Sequence, residues 1–277
     1  LKSIYPISKY KFLRYFIGDI RDKDRLELAL KDVDLIFHAA ALKQVDTAEY
    51  NPFEYVNTNI IGSQNIINAA IKNNVSRVVA LSTDKACSPI NLYGVTKLAS
   101  EKLFISANNY SGGRTSFSTL RYGNVSASRG SVIPLFLKCK KNNENFFPIT
   151  STEMTRFWIE IDEAINLALD LAQNMVGGET LIPIIPSFKI KDLAKAIDDK
   201  KKIKIIGIRP GEKIHEQMCP KESSGHTLEF DDFFIIFSSD VNVENKIKEY
   251  KKRINKKGKK VAENFEYSSG SNNHFLS

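Results

Sequence analysis

No glycine cluster stands anywhere before residue 18. A nucleotide-binding α/β sheet normally opens with a strand, a glycine-rich turn and a helix whose amino end receives the pyrophosphate. That opening is absent from these 277 residues. Long apolar runs are absent too. The longest, Phe233-Phe234-Ile235-Ile236-Phe237, has strand length, against the roughly 18 residues of a membrane span. The first residues, Leu1-Lys2-Ser3-Ile4-Tyr5, hold no apolar stretch of a secretory leader. Only three cysteines occur, Cys87, Cys139 and Cys219. They are odd in number and lack metal-ligand spacing, so no disulfide framework or metal site is expected and a reducing cytoplasm is the simple reading.

What is present fits a globular protein of one large or two modest domains, 42% apolar and 26% charged. The net charge is +8. Residues 246–260 alone hold nine Lys/Arg and one Glu, which accounts for the whole imbalance. Tyr250 is the only aromatic residue there, so the lysines lack the interleaved rings of a strand-binding platform. A solvated surface helix is expected, with no nucleic-acid and no membrane partner.

Strand and helix signals alternate along the first half. Residues 13–17 read as a strand ended by Gly18-Asp19. Residues 22–32 have helical spacing, and Leu35-Ile36-Phe37-His38 reads as a strand running into Ala39-Ala40-Ala41. Residues 53–73 read as a long helix entered through Asn51-Pro52. Residues 77–82 predict a short buried strand, 91–109 a helix, and 117–121 another strand. Such alternation predicts βαβ units and a parallel sheet. After Tyr122 the elements shorten and prolines become frequent, which suggests a smaller α+β part. The expected division is 1–125 for a nucleotide-binding sheet domain, 126–267 for a mainly substrate-binding part, and 268–277 for a loose tail.

The densest chemistry is Ser82-Thr83-Asp84-Lys85-Ala86 followed by Asn91-Leu92-Tyr93-Gly94-Val95-Thr96-Lys97. It sets an acid, two amines and a phenol at a strand's carboxyl end and on the next helix, where an open α/β sheet places its chemistry. Tyr93 and Lys97 are four apart and share a helix face. An ammonium there lowers the phenol's pKa and makes it a usable base. Taken alone, Thr83-Asp84-Lys85 also reads as an ordinary turn with an Asp cap.

Several blocks in order resemble the extended short-chain dehydrogenase/reductases, and more narrowly the inverting UDP-N-acetylglucosamine 4,6-dehydratases that start pseudaminic acid synthesis. They are Arg14-Tyr15-Phe16-Ile17-Gly18-Asp19-Ile20-Arg21-Asp22, His38 to Ala41 with Lys43, Ala48-Glu49-Tyr50-Asn51-Pro52, Thr58-Asn59-Ile60, and the two stretches just quoted. Farther on come Arg121-Tyr122-Gly123-Asn124-Val125, Ser128-Arg129-Gly130-Ser131-Val132-Ile133-Pro134, Met154-Thr155-Arg156-Phe157-Trp158 and Gly207-Ile208-Arg209-Pro210-Gly211-Glu212-Lys213. The resemblance implies a Rossmann-like doubly wound parallel sheet without its first βαβ unit, with a smaller C-terminal α+β substrate domain. A sheet so opened is expected to expose apolar surface beside the remaining strands. Asp46 stands where the family often has Pro, and Ser126-Ala127 where Val-Gly is usual.

What the resemblance implies chemically is a cycle: oxidation of the sugar at C4, loss of water across C5–C6, and return of hydride to C6. NADP is the implied cofactor, with NAD possible, and UDP-N-acetylglucosamine the substrate. Tyr93 takes the 4-hydroxyl proton, Lys97 lowers the tyrosine's pKa and holds the nicotinamide ribose, and Thr83 bonds the 4-oxygen. Lys85 removes the C5 hydrogen as a neutral amine, which requires desolvation or nearby cations. Asp84 protonates the departing hydroxyl. The pair Asp84-Lys85, where retaining enzymes carry Asp-Glu, implies inversion at C5. Asp19 and Ile20 bracket the adenine. Ala39, Ala40, Ala41 and Ser82, with Tyr93 and Lys97, complete the cofactor set. Lys43, Asn124, Arg129, Arg156, Arg209 and Glu212 form the substrate set. His38 reads as a satisfied interior histidine, His215 as a support for the Arg209 loop, and Phe157-Trp158 as core. Self-association in the cytoplasm is also implied. Two other readings stay open: a UDP-sugar 4-epimerase, and a non-catalytic fragment of the dehydratase.

Overall fold

The structure, a computed structural model, describes residues 4–6, 8–126, 128, 131–238 and 243–276. Asp22 accepts a hydrogen bond from the Arg25 amide and starts α1 (Lys23–Ala29). The edge strand β1 (Leu35–His38) follows. Next come α2 (Val45–Tyr50), α3 (Pro52–Tyr55), a π-helical turn (Val56–Ile61) and α4 (Gly62–Lys72). The long helix expected over 53–73 is thus interrupted. The π turn carries Asn59, whose side chain bonds both Leu42 N and Leu42 O at 2.9 Å and Thr96 Oγ1 at 3.0 Å. Such turns recur at functional sites because they re-aim one side chain.

Strand β2 (Arg77–Leu81) runs into a 3-10 turn (Asp84–Ala86), then α5 (Leu92–Ala107) and β3 (Ser116–Leu120). The second half adds β4 (Asn124–Val125), α6 (Val132–Lys141), β5 (Phe146–Ile149), β6 (Thr155–Ile159), α7 (Ile161–Asn174) and β7 (Glu179–Pro183). It continues with β8 (Ser187–Lys189), α8 (Ile190–Ile197), β9 (Lys202–Ile205) and β10 (Gln217–Cys219). The last elements are β11 (Thr227–Glu229), β12 (Phe233–Phe237), α9 (Val243–Ile254), β13 (Lys259–Lys260) and β14 (Tyr267–Ser268).

The main sheet has the order β1-β2-β3-β7-β12-β11-β13, with the first four strands parallel and the rest antiparallel. Helices cover both faces. Val78 and Ala80 of β2 pack with Phe117, Ile66, Ile67 and Phe104 on one side. Val79 packs with Leu120, Leu171, Leu181, Ile235 and Tyr250 on the other. Strands buried on both faces explain the unbroken apolar runs. Fully burying one such side chain is worth about 1.5–3 kcal/mol. The doubly wound sheet and the smaller α+β part are therefore both present. The smaller part has its own core around Phe136, Phe147, Met154, Phe188 and Ile190.

Three expectations need correction. Residues 13–17 belong to no strand: they lie beside no partner ladder, and a strand exists only as a paired one. The division at 125 is not clean, because β7, β12, β11 and β13 return to the main sheet. The segment from Ser268 is pinned, not loose. Ser269 Oγ accepts the Glu216 amide at 2.9 Å, Asn272 Nδ2 donates to Ile185 O at 2.9 Å, and Leu276 N donates to Ser187 O at 2.7 Å. Apolar surface is exposed at the β1 edge, where Leu35 and Phe37 face solvent. The basic helix α9 buries Tyr250 while Arg253 pairs with Glu249, and Lys256, beyond it, pairs with Asp231 and Asp232. No helix among the described residues is long and apolar enough to cross a membrane.

Candidate active site

The carboxyl ends of the parallel strands β1, β2 and β3 face one rim, and the turn after β2 stands on it. Pairing continues past β2. Ser82 N donates to Leu120 O at 2.7 Å and Asp84 N to Tyr122 O at 3.0 Å, which fixes the turn against the end of β3. Thr83 caps the turn: its hydroxyl accepts Lys85 N at 3.3 Å and donates to Asp84 Oδ1 at 2.9 Å.

Lys85 Nζ donates to the same Asp84 Oδ1 at 3.1 Å and pairs with Glu216 Oε1 at 3.4 Å. Arg156 Nε stands 3.7 Å from that Glu216 oxygen. Asp84, Arg156 and Glu216 are all buried. Asp84 Oδ2 and Glu216 Oε2 are sealed from solvent with no hydrogen-bond partner. Two carboxylates that share one ammonium in a dry site split apart. Burial raises the Asp84 pKa, and the Glu216 charge adds to that. Burial would raise Glu216 too, but Lys85, Arg156 and Lys213 outweigh it and hold Glu216 low. Burial opposes the Lys85 ammonium, yet Asp84 and Glu216 more than compensate and keep it charged. The neutral lysine expected from sequence is thus corrected, because two acids, one of them unforeseen, flank it.

Asn91 caps α5 by accepting Gly94 N at 2.8 Å. A Cβ on Gly94 would lie 2.3 Å from the Lys85 carbonyl oxygen, so glycine is what lets α5 approach the turn. Tyr93 is buried in a cluster with Ala48 and Tyr55. Burial pushes its phenol up to about 12, against the pull of the Lys85 charge and a Thr83 hydrogen bond. Lys97 Nζ donates to Leu81 O at 2.8 Å, and burial brings its pKa down to about 8 although Glu101 opposes. The expected lowering of the phenol by Lys97 is therefore not seen: the Lys97 head group is engaged at the end of β2, and the cation acting on Tyr93 is Lys85.

Beside these, Ser82 Oγ is buried without a partner at the strand end that receives Lys97. Ala39 and Ala40 are exposed small residues on the rim. Asp19 is held by Arg21, which hydrogen-bonds it and draws its pKa down to about 2, while Ile20 O accepts Asn65 Nδ2 at 3.1 Å. An orphaned hydroxyl, an ammonium and a small-residue rim fit the ribose and nicotinamide of a dinucleotide. His38 is neutral and interior, its pKa brought to about 3 by burial and the Lys97 charge, with Ser63 Oγ 3.5 Å from Nε2.

The substrate set divides. Asn124 Oδ1 is buried with no partner, and Lys43 is exposed next to Leu42, which packs against the Tyr93 cluster. Arg156 donates to Thr155 O at 2.6 Å and Ile214 O at 3.2 Å. Arg209 is half exposed, 3.8 Å from Glu212 and 3.9 Å from Asp46. Glu212 Oε2 accepts Arg209 N at 3.2 Å. The loop they form is stapled over the turn: Gly211 O accepts Asn91 Nδ2 at 2.8 Å, and Lys213 Nζ donates to Cys87 O at 2.7 Å. His215 supports the loop through Thr155 Oγ1 at 2.8 Å, and Phe157 is core. Arg129, and Ala127 with it, lie outside the described residues. Sequence reasoning missed Glu216 and the buried pair of Arg121 with Glu101. A charged residue two positions before the apolar Met218-Cys219 was the only signal for Glu216.

Residues 2–238 match the family described as "Polysaccharide biosynthesis protein". The chain belongs to that family. Among this family member's relatives is the UDP-N-acetylglucosamine 4,6-dehydratase (inverting) of Campylobacter jejuni subsp. jejuni serotype O:23/36 (strain 81-176). It is 50% identical over 266 residues, which cover 96% of this chain and 80% of that protein. A UDP-glucose 4-epimerase of Rickettsia canadensis (strain McKiel) is 42% identical over 81% of this chain and 67% of its own length. The X-ray structure of Pen from Bacillus thuringiensis has a TM-score of 0.87 at 37% identity, covering 100% of this chain and 81% of that one. The resemblance read from the ordered sequence blocks is thereby upheld for this polysaccharide biosynthesis protein.

Proposed function

We propose that this chain dehydrates UDP-N-acetylglucosamine to a UDP-4-keto-6-deoxy-N-acetylhexosamine with inversion at C5. The observation that carries the reading is the pair of buried Asp84 with half-buried Lys85, at 3.1 Å, on the turn that α5 presses against. An epimerase has no use for an acid and an amine side by side at that point.

A nicotinamide cofactor, NADP on the family resemblance, supplies a hydride acceptor and donor when bound at the rim formed by Ala39–41, Ser82 and Lys97. Asp19 and Ile20 stand on the adenine side. Tyr93 Oη takes the 4-hydroxyl proton as the phenolate, a form that the Lys85 charge favours, and Thr83 Oγ1 bonds that oxygen. The C4 hydrogen would leave as hydride to the nicotinamide when it is bound, and the ketone so formed acidifies C5–H. Lys85, whose side chain is partly open to solvent, first releases its ammonium proton to water and then takes the C5 proton at Nζ. The C5–H electron pair becomes the C5–C6 π bond, and the C6–O bond breaks. Asp84 Oδ2, the oxygen with no other partner, gives the leaving hydroxide its proton, so water departs. C6 would regain a hydride from the nicotinamide when it is bound, and C5 takes a proton on the opposite face. Each such transfer contributes typically about 10²–10⁴-fold. Asn124, Arg129, Arg156, Arg209 and Glu212, with Lys43, are assigned to the nucleotide sugar. Arginine suits the diphosphate because its planar fork matches paired oxygens. We assign the activity to the lyases, the pathway to pseudaminic-acid-type sugars, the compartment to the cytoplasm, and the working form to a homo-oligomer.

Mass spectrometry of the product formed from UDP-N-acetylglucosamine and added cofactor tests the reading. Loss of one water from the sugar nucleotide is expected. An isomer of unchanged mass would turn the assignment to the epimerase.

A further inference from the structure

Asp84 and Glu216 are chemically equivalent acids on one lysine, yet their surroundings differ. Asp84 Oδ1 already accepts from Thr83 and Lys85, which leaves Oδ2 as the oxygen that can carry a proton. Glu216 faces cations from three sides: Lys85 on the turn, Arg156 Nε at 3.7 Å on β6, and Lys213 on its own loop. Its amide is clamped by Ser269 Oγ, and it lies two residues before Met218, whose carbonyl is gripped by Arg121 at 2.6 Å. Among the described residues, Tyr93 on α5 also feels the Lys85 charge. His215 is turned to Thr155.

We propose that Glu216 is a positioning residue, the standing counter-ion of Lys85, which leaves Asp84 as the member of the pair that keeps a proton for the departing hydroxyl. Without Glu216, Asp84 is the sole anion on Lys85 and holds it as a carboxylate, unable to donate. With Glu216 the charge is already balanced, and a second anion beside it is unfavourable. Arg156, 3.7 Å from Glu216 Oε1, keeps Glu216 ionised. The catalytic consequence rests on the dehydratase reading; the protonation pattern does not.

Infrared difference spectra of the purified chain at neutral pH test the pattern without cofactor or sugar. In a Glu179→Gln background, which removes the other carboxyl that burial raises, a protonated-carboxyl band should be present, vanish with Asp84→Asn, vanish also with Glu216→Gln, and persist with Glu216→Asp, which retains the charge. A band that survives Glu216→Gln, or a wild-type spectrum with no component lost in Asp84→Asn, overturns the inference. That second comparison stands even where Glu216→Gln fails to fold.

In turnover, Glu216→Gln should lower water loss at least 10-fold more than it lowers exchange of the C5 hydrogen with deuterated solvent, a partition that a merely structural role would not move. The acid limb of the exchange profile should stay in place, because Asp84 ionises as Glu216 is lost and Lys85 keeps one anion. Arg156→Met should move it up. Equal losses in both readouts, or a limb that moves down in Glu216→Gln because Asp84 has not taken over the charge, overturn the proposal. Should the product show no dehydration while the infrared pattern holds, the reaction assignment fails and the counter-ion role stands.

Discussion

Arg121 grips Glu101 with two parallel hydrogen bonds, 3.0 Å from Nε and 2.6 Å from Nη2, deep inside the protein. The pair joins the end of β3 to the helix that carries Tyr93 and Lys97. Removing one partner leaves a buried unpaired charge, which costs about 3–5 kcal/mol. Glu101→Gln and Arg121→Met should each lower stability by that order in denaturant titrations. The double variant Glu101→Leu/Arg121→Met should recover part of the loss, since apolar replacement of both is the milder change.

Glu179 is fully buried in β7, with one oxygen accepting Val176 N at 2.8 Å and the other without a partner. Burial lifts its pKa from 4.5 to about 7. A raised folded value means the native state binds the proton more tightly than the unfolded chain. This contribution is complete below the unfolded value and lost as pH rises through the folded one. Stability should therefore fall between about pH 4.5 and 7, by on the order of 3 kcal/mol from this group. Glu179→Gln should flatten that slope in melting curves across the same range.

Gly94→Ala puts a methyl group 2.3 Å from the Lys85 carbonyl oxygen, a backbone atom that cannot swing aside. Helix α5 must back away from the turn. Turnover should fall about 10²-fold or more from misplacement of Tyr93 against Asp84 and Lys85. Stability should drop by about 1–3 kcal/mol, the usual range for forced overpacking. Steady-state rates and thermal melting measure the two effects separately.

Tyr93→Phe deletes the phenol and should lower the rate of C4 oxidation by about 10²–10⁴-fold, while cofactor retention stays near wild type. The phenol is pushed to about 12 by burial, and the Lys85 charge pulls the other way. Lys85→Met should therefore move the Tyr93 titration upward. Ultraviolet difference titration against the corresponding Tyr93→Phe variants resolves this one phenol, and an unmoved curve would count against Lys85 as its cation.

Much of this was legible in the sequence because it is local. The run Arg77-Val78-Val79-Ala80-Leu81 alternates faces in a sheet covered on both sides, and Asn91 caps the helix that its position announces. Asp84, Lys85, Tyr93 and Lys97 fall on one turn and one helix, so their spacing alone assembles them. The rest was hidden because it is long-range. Glu216 meets Lys85 from 131 positions away. Whether an amine is charged depends on such neighbours, and so the lysine's state was misjudged. Residues 13–17 have strand composition, but pairing depends on what lies alongside.

The staple of Asn91 to Gly211 and of Lys213 to Cys87 has a consequence for how the protein comes into being. During synthesis the turn and its helix leave the ribosome more than a hundred residues before the loop that covers them. At about 5–20 residues per second, that interval lasts several seconds. For that time Asp84 and Lys85 lie together without their third charge and open to solvent. The catalytic list is complete early; the environment that gives each group its proton arrives last.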